Sequence, residues 1–125
     1  MENRGKQKTE SFTDLIAWKE GHALVLLIYN VTERFPKEEV FGLTNQIRRA
    51  AVSITSNIAE GFSRVGVDDK KKSYAIALGS LTEVQNQILV GRDLRYISSS
   101  EFSKIAQQTV TVSKLINGLR KIRHT

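Results

Sequence analysis

Apolar residues recur at spacings of three and four positions in four long stretches of the sequence. This spacing gathers apolar side chains on one side of an α-helix. The stretches predict helices at about residues 13–34, 42–62, 68–96 and 101–123. Short polar connections separate them, and helices connected in this way pack antiparallel to their neighbours. The sequence therefore predicts an all-α fold, an antiparallel up-down four-helix bundle in residues 12–125.

The first predicted helix carries two overlapping apolar stripes. One comprises Leu15, Trp18, His22, Val25, Tyr29 and Thr32, and the other comprises Leu24, Leu27, Ile28, Val31 and Phe35. Between Ala23 and Tyr29 the helix is apolar on every side, and a helix of that kind is expected to be buried all round. Because each helix of a four-helix bundle keeps one side in water, we expect another subunit to cover part of this helix.

The ends of the predicted helices carry recognisable signals. Residues 1–11 are polar and without periodicity, so we expect a disordered tail. Ser11 or Thr13 can cap the first helix, and one of the serines at 98–100 can cap the fourth. Pro36 ends the first helix, because its ring disfavours the α conformation at the preceding residue.

Composition limits the cellular compartment in which the protein is expected and the kinds of covalent or metal site that it can form. The chain has no cysteine, which excludes disulfides and cysteine-bound zinc. Its longest apolar run, Ala23 to Tyr29, is far shorter than the roughly 20 residues needed to span a bilayer. The polar first residues lack the apolar stretch of a secretory signal. We therefore expect a cytoplasmic protein with no membrane partner.

Candidate catalytic and metal-binding residues are sparse. His22 lies on a predicted core stripe and reads as a hydrogen-bonded core or interface residue. Glu20 precedes it by two residues, whereas the di-iron bundle motif requires a spacing of three. No serine has a histidine partner in a recognisable motif, and no glycine-rich phosphate loop is present. The sequence therefore predicts no enzyme, no cofactor and no metal site.

Two carboxylates, Glu60 and Glu83, fall within predicted helices and are expected to face inward. Two such carboxylates can act as an acid–base pair. Pairing with Arg48 or Arg49 explains them more simply, since buried charges are normally matched by hydrogen-bonded partners of opposite sign. We expect them to have a structural role.

The predicted topology brings basic residues from several segments to one end of the bundle. The sequence has a formal net charge of +6 at pH 7. The second helix ends where the third begins, and the fourth helix ends on the same side. The candidates for contact with nucleic-acid phosphates are Arg64, Lys70, Lys71, Lys72, Arg120, Lys121 and Arg123. Such contacts bind RNA or DNA without strong sequence preference, and salt weakens them steeply.

A second function remains open from the same residues. Positive charge can instead serve solubility or an acidic protein partner, with no nucleic-acid contact. Only 7% of the residues are aromatic, so few side chains are available to stack on unpaired bases. This scarcity favours the alternative, a protein–protein interaction module.

One long segment resembles a known family. Residues 41–54 (FGLTNQIRRAAVSI) and 56–62 (SNIAEGF) are similar to the signature of the 23S rRNA-intervening sequence proteins. Residues 14–18, 35–39 and 77–83 add supporting similarity, and the match extends over about residues 12–122. The sequence departs from the family at Thr55, where members usually have a proline that bends the second helix.

The resemblance implies an antiparallel four-helix bundle that assembles as a ring-like homopentamer without established enzymatic activity. It also implies a gene often found inside large ribosomal RNA genes. A related branch resembles the accessory variability protein of diversity-generating retroelements, a basic pentamer that binds nucleic acid and a reverse transcriptase. Self-association, RNA or DNA, and a protein partner are therefore the expected partners. The motif positions expected to form a polar network between helices or subunits are Arg48, Arg49, Asn57, Glu60 and Glu83.

Overall fold

The fold is all-α, as predicted. A computed structural model describes residues 9–121. Its four long helices are α1 (Ile16–Thr32), α2 (Leu43–Ser63), α3 (Val67–Asp93) and α4 (Ser99–Arg120). Two short 3-10 turns precede α1 and α2, and the described residues contain no β-strand. Residues 1–8 of the polar tail lie outside the described range. So do residues 122–125, which include the end of the fourth predicted helix.

Each helix packs against two others, α1 and α3 both contacting α2 and α4. Residues that meet across each contact run in opposite sequence directions, which makes neighbouring helices antiparallel. For α1 and α2 the pairs are Thr32 with Arg48 and Gly21 with Thr55, and for α2 and α3 they are Ser53 with Ser80 and Phe62 with Lys70. For α3 and α4 they are Gln85 with Thr109 and Gly91 with Ile97, which lies just before α4. For α1 and α4 they are Glu20 with Gln108 and Arg34, which lies just after α1, with Glu101.

The four helices enclose one aliphatic core. Each helix contributes branched side chains that are at most 2% exposed. The largest are Leu24, Ile28, Ile47, Ile54, Ile58, Leu81, Ile88, Ile105 and Ile116. Full burial of such a side chain stabilises the folded state by about 1.5–3 kcal/mol relative to exposure. This core explains why the spacing of apolar residues predicted the helices.

The structure separates the two overlapping stripes of α1. Leu24, Ile28 and Val31 are buried, whereas His22 and Tyr29 are exposed. His22 was expected in the core or at an interface, and it does not lie in the core of the subunit. Its ring stacks on Trp18 at the surface instead, with ring centroids 4.7 Å apart. The cause is the preceding residue, Gly21, which faces α2 and thereby turns the next position outward.

Capping residues set where the helices begin. Ser98 caps α4 as predicted: its hydroxyl accepts a hydrogen bond from the Glu101 amide at 3.2 Å, and the Glu101 carboxylate accepts one from the Ser98 amide at 3.1 Å. Ser11 caps only the first 3-10 turn, not α1 itself. The chain is extended at Leu15, so α1 begins at Ile16, later than the pattern predicted.

Candidate functional site

Four helix termini meet at one end of the bundle. The start of α1, the end of α2, the start of α3 and the end of α4 line a common cavity there, through Leu15, Phe62, Val67 and Leu119. We name this end, with its cationic residues, the basic end. It comprises Arg64, Lys70, Lys71, Lys72, Arg120 and Lys121, whereas the seventh predicted candidate, Arg123, lies outside the described residues.

Lys70 is held by the end of α2. Its ammonium donates hydrogen bonds to the carbonyl oxygens of Gly61 at 3.1 Å and Phe62 at 2.9 Å, and it lies 5.9 Å from the centroid of the Phe62 ring. The last carbonyls of a helix lack intrahelical partners and carry partial negative charge, which a cation compensates. Lys70 therefore stabilises the α2–α3 junction, and less of its charge is available to an external phosphate.

Arg64 is also engaged within the chain. Its guanidinium lies 3.2 Å from the Glu60 carboxylate, and both side chains are about half exposed. An exposed ion pair of this kind contributes about 0–1 kcal/mol, so a phosphate can compete for the arginine. Glu60 was expected to pair with Arg48 or Arg49, but it lies one helical turn before Arg64 and pairs with that residue instead.

Four exposed cations of the basic end form no ion pair within the described residues. They are Lys71, Lys72, Arg120 and Lys121, from the start of α3 and the end of α4. Two carboxylates, Asp68 and Asp69, lie in the first turn of α3, where negative charge is stabilised by the helix dipole. The end therefore carries mixed charge in which exposed cations outnumber these two carboxylates.

Arg48 joins α2 to the end of α1. Its Nε donates to the Thr32 hydroxyl at 2.8 Å, and its guanidinium lies 4.5 Å from the centroid of the Tyr29 ring. The same guanidinium is 3.5 Å from the Tyr29 carbonyl oxygen. Arg48 thus has the structural role expected for it, although its partners are on α1 and are not the predicted glutamates.

Asn57 belongs to a separate set of hydrogen bonds between α2 and α3. Its amide donates to the carbonyl oxygen of Ser53 at 2.8 Å and to the Ser53 hydroxyl at 3.2 Å. The Ser53 hydroxyl lies 2.8 Å from that of Ser80 on α3. Within residues 9–121, the motif residues Arg48, Asn57 and Glu60 therefore occupy separate local contacts, whereas a network between subunits stays a prediction.

Arg49 and Glu83 share a polar surface depression of about 390 Å³ between α2 and α3. Both side chains are exposed, and so is that of Glu60, so the prediction that Glu60 and Glu83 face inward was wrong. Neither forms an ion pair within the described part of the chain. The Gln87 side-chain oxygen, which is buried in the wall of the same depression, has no hydrogen-bond partner among residues 9–121.

The outward side of α1 is unusually apolar. Ile16 is 63% exposed, Leu26 57% and Tyr29 40%, and Ala23 lies between them. Val52 of the adjacent α2 is a further exposed aliphatic residue. We name Ile16, Ala23, Leu26 and Tyr29 the outer face of α1. The sequence indicated this face through the all-round apolar stretch of the first helix.

Sequence reasoning missed this cavity. Leu15, Phe62, Val67 and Leu119 are apolar and lie at the helix ends that meet at the basic end. That shared position was the available signal. In residues 9–121, no three His, Asp or Glu side chains are arranged to hold a metal ion. No helix of these residues has the length and hydropathy needed to cross a bilayer.

Comparisons with known proteins identify the family. The solved structure of a protein of unknown function from the S23 ribosomal protein family of Bacteroides thetaiotaomicron VPI-5482 has a TM-score of 0.78 and 20% identity, covering 86% of this chain and 96% of that one. At that identity the likeness shows a shared fold. No curated protein matches the sequence. The family model for 23S rRNA-intervening sequence protein matches residues 13–118, and the chain belongs to that family.

Proposed function

We propose that the protein is a non-enzymatic, cytoplasmic scaffold that assembles as a homo-oligomer, a pentamer by family resemblance, and contacts RNA or DNA phosphates through the basic end. The observation that carries the nucleic-acid part is the joint exposure of Lys71, Lys72, Arg120 and Lys121 at one end of the bundle. Cations from two helices, none of which forms an ion pair within residues 9–121, suit the repeating negative charge of a nucleic-acid backbone.

The outer face of α1 supports the oligomer. Leu26 and Ile16 are each more than half exposed on a helix whose opposite side fills the core. Several large apolar side chains exposed on one side of a helix are characteristic of interaction sites. A second copy of the chain covers this face in the proposed assembly, which removes the apolar side chains from water.

Cyclic assembly would strengthen phosphate binding. Rotation about the axis of a ring repeats every subunit feature at the same height, so the basic ends form one circle of cations. Each basic end alone offers few phosphate contacts. Several ends acting on one nucleic-acid strand raise the overall affinity well above that of a single end, because later contacts form intramolecularly.

The salt dependence of RNA binding tests the nucleic-acid contact. The double variant Lys71→Ala/Lys72→Ala should bind a short single-stranded RNA more weakly. If both lysines contact phosphate, the slope of log affinity against log salt should be shallower by about 1.4 per bound subunit. The matched control is Lys37→Ala/Lys104→Ala, which removes the same charge near the opposite end. An equal loss in both double variants, or no binding at low salt, would overturn the proposal.

Light scattering tests the assembly. The wild-type protein should have the mass of an oligomer at micromolar concentration, and Leu26→Glu should shift the mass toward that of one subunit, since it places a charge on the covered face. Glu33→Gln, a change at an exposed polar position of the adjoining segment, serves as the control. A monomeric wild-type protein would contradict the proposed assembly.

A protein–protein interaction module without nucleic-acid contact is the second candidate. Phe41 is 92% exposed and its neighbour Val40 53% exposed, in the turn before α2 and therefore at the end opposite the basic end. A rigidly placed aromatic side chain is a common anchor in protein interfaces. Loss of partner-protein binding in Phe41→Ser, together with absent RNA binding by the wild type, would favour this candidate.

A further inference from the structure

A cavity of about 320 Å³ opens at the basic end. It has room for roughly ten groups of the size of a water molecule. Its walls are mostly apolar and come from all four helices or their flanking residues. The lining residues are Thr9, Leu15, Phe62, Val67, Lys70, Lys71, Tyr74 and Leu119. The side chains of the core do not fill the space at this end of the bundle. The remaining space can hold a small apolar group.

Tyr74 forms a fixed wall of this cavity. A β-carbon placed at Gly61 would lie 2.4 Å from Cε1 of its ring, so the ring rests directly on the α2 backbone. The side chain is only 5% exposed. Burial alone raises the pKa of Tyr74 above its ordinary value of 10.0, so the hydroxyl is a neutral donor at physiological pH.

Two lysine side chains lie next to the apolar walls of the cavity. Lys70 uses two of its three ammonium hydrogens on the carbonyl oxygens of Gly61 and Phe62, which leaves one hydrogen for a further acceptor. Lys71, which also lines the cavity, is exposed. The cavity therefore combines an apolar interior with cationic donors from two consecutive residues of α3.

We infer that this cavity binds an amphiphilic anion, a straight-chain carboxylate of about eight to ten carbons, with the alkyl chain against Leu15, Phe62 and Leu119 and the carboxylate at Lys70 and Lys71. The alkyl chain matches the apolar walls in polarity, and its volume suits a cavity of about 320 Å³. The carboxylate matches the charge and the remaining hydrogen-bond donors of the lysines. This site is independent of the proposed phosphate contacts, apart from the shared Lys71.

A nucleobase fits the same cavity less well. The edges of a base carry several donors and acceptors that require partners when they are removed from water. Apart from the two lysines, the polar side-chain groups in the lining are the hydroxyls of Tyr74 and Thr9. An alkyl chain has no such requirement, so the composition of the walls favours the carboxylate.

Calorimetric titration of the full-length protein with octanoate and decanoate tests the inference. We expect one site per subunit, with affinity rising about fourfold for each added methylene that fits within the cavity. Decyltrimethylammonium should not bind, and Lys71→Ala should weaken decanoate binding at least several-fold. Lys104→Ala, which removes an exposed lysine near the other end, should leave that binding unchanged.

Blocking variants separate this site from the phosphate contacts. Leu119→Trp should fill the cavity and reduce decanoate binding more than tenfold, whereas Val110→Trp, at an exposed position of the same helix, should not. Val67→Trp provides a second block from α3 if the first variant fails to fold. Both blocking variants should retain salt-dependent RNA binding. Unchanged decanoate binding in the blocked proteins, equal binding of decanoate and decyltrimethylammonium, or no decanoate binding by the wild type would overturn the inference.

Discussion

The ring of Tyr74 packs so closely against Gly61 that a β-carbon at position 61 would lie 2.4 Å from Cε1 and 2.9 Å from two further ring carbons. Gly61 lies within α2, where glycine is less favourable than alanine by up to about 1 kcal/mol. The contact explains why glycine is nevertheless present: it lets α3 approach α2 closely next to the cavity at the basic end.

Gly61→Ala should therefore destabilise the protein. The atoms that the new methyl group meets belong to a rigid ring that is only 5% exposed, so the ring or a helix must shift. Overpacking of this kind costs about 1–3 kcal/mol, which outweighs the gain in helix propensity. Urea unfolding followed by circular dichroism should show a lower transition midpoint at an unchanged slope.

Gly79→Ala is the matched control, since it makes the same substitution in the middle of α3. A β-carbon at position 79 would meet nothing within 4 Å. Only the helix propensity changes, so the free energy of unfolding should rise by up to about 1 kcal/mol. Two variants with the same sign of effect would show that the Tyr74 contact does not govern position 61.

The cap of α4 provides the next prediction. Ser98→Ala removes the hydroxyl that accepts a hydrogen bond from the Glu101 amide, and loss of such a cap costs about 0.5–2 kcal/mol. Thermal unfolding should show a lower midpoint. Ser103→Ala, one turn further along at an exposed position, should leave the midpoint unchanged or slightly raised. A comparable loss in both variants would mean that serine substitution, and not capping, causes the effect.

Glu101 should make stability depend on acidity. The hydrogen bond from the Ser98 backbone lowers the pKa of this carboxyl below its ordinary value of 4.5, and the Ser98 hydroxyl and the Arg34 guanidinium act in the same direction. A carboxyl whose pKa is lower in the folded state binds protons more readily when unfolded. Its stabilising contribution is therefore fully present above the ordinary value and is lost as the pH falls through the folded value.

Glu101→Gln tests this dependence. The variant should be less stable than the wild type at pH 7, and the difference should narrow as the pH falls below about 4.5, where the wild-type carboxyl becomes protonated. Urea unfolding at a series of pH values measures both proteins. A difference that stays constant down to acid pH would show that ionisation of Glu101 contributes nothing to folding.

The helices were predictable because their buried residues are strongly periodic, but the rotation of α1 was not. Both of its stripes have helical spacing, so spacing alone could not decide between His22 and Leu24 as core residues. The decision comes from packing: a β-carbon at Gly21 would lie 3.0 Å from Cγ2 of Thr55, which fixes the side of α1 that faces α2. This contact joins residues distant in sequence.

The candidate site was predictable only as a region. Topology placed Lys70 and Lys71 at one end, but it could not distinguish their roles. Lys70 reaches carbonyl oxygens of α2 across the loop between the helices, whereas Lys71, one residue later, is exposed at the edge of the cavity. Consecutive helical residues are rotated by 100° about the helix axis, so the two lysines point in different directions. Which of them faces α2 depends on the conformation of the loop, and composition does not specify that conformation.

Thr55 provides a test of how straight α2 must be. The helix runs unbroken from Leu43 to Ser63, and Thr55 is 8% exposed in its middle, with its hydroxyl donating to the Val52 carbonyl oxygen at 3.1 Å. Thr55→Pro, which introduces the residue expected from the family resemblance, removes a backbone hydrogen bond and places the ring against the preceding turn. The expected loss is about 3 kcal/mol or more.

Thr55→Val is the control, because it keeps the shape, including the methyl group beside Gly21, and replacement of a hydroxyl by an apolar group of the same shape can be nearly neutral. Urea unfolding should therefore separate the two variants clearly. If Thr55→Pro is as stable as Thr55→Val, α2 can bend at this position without loss, and the close contact with α1 does not require a straight helix.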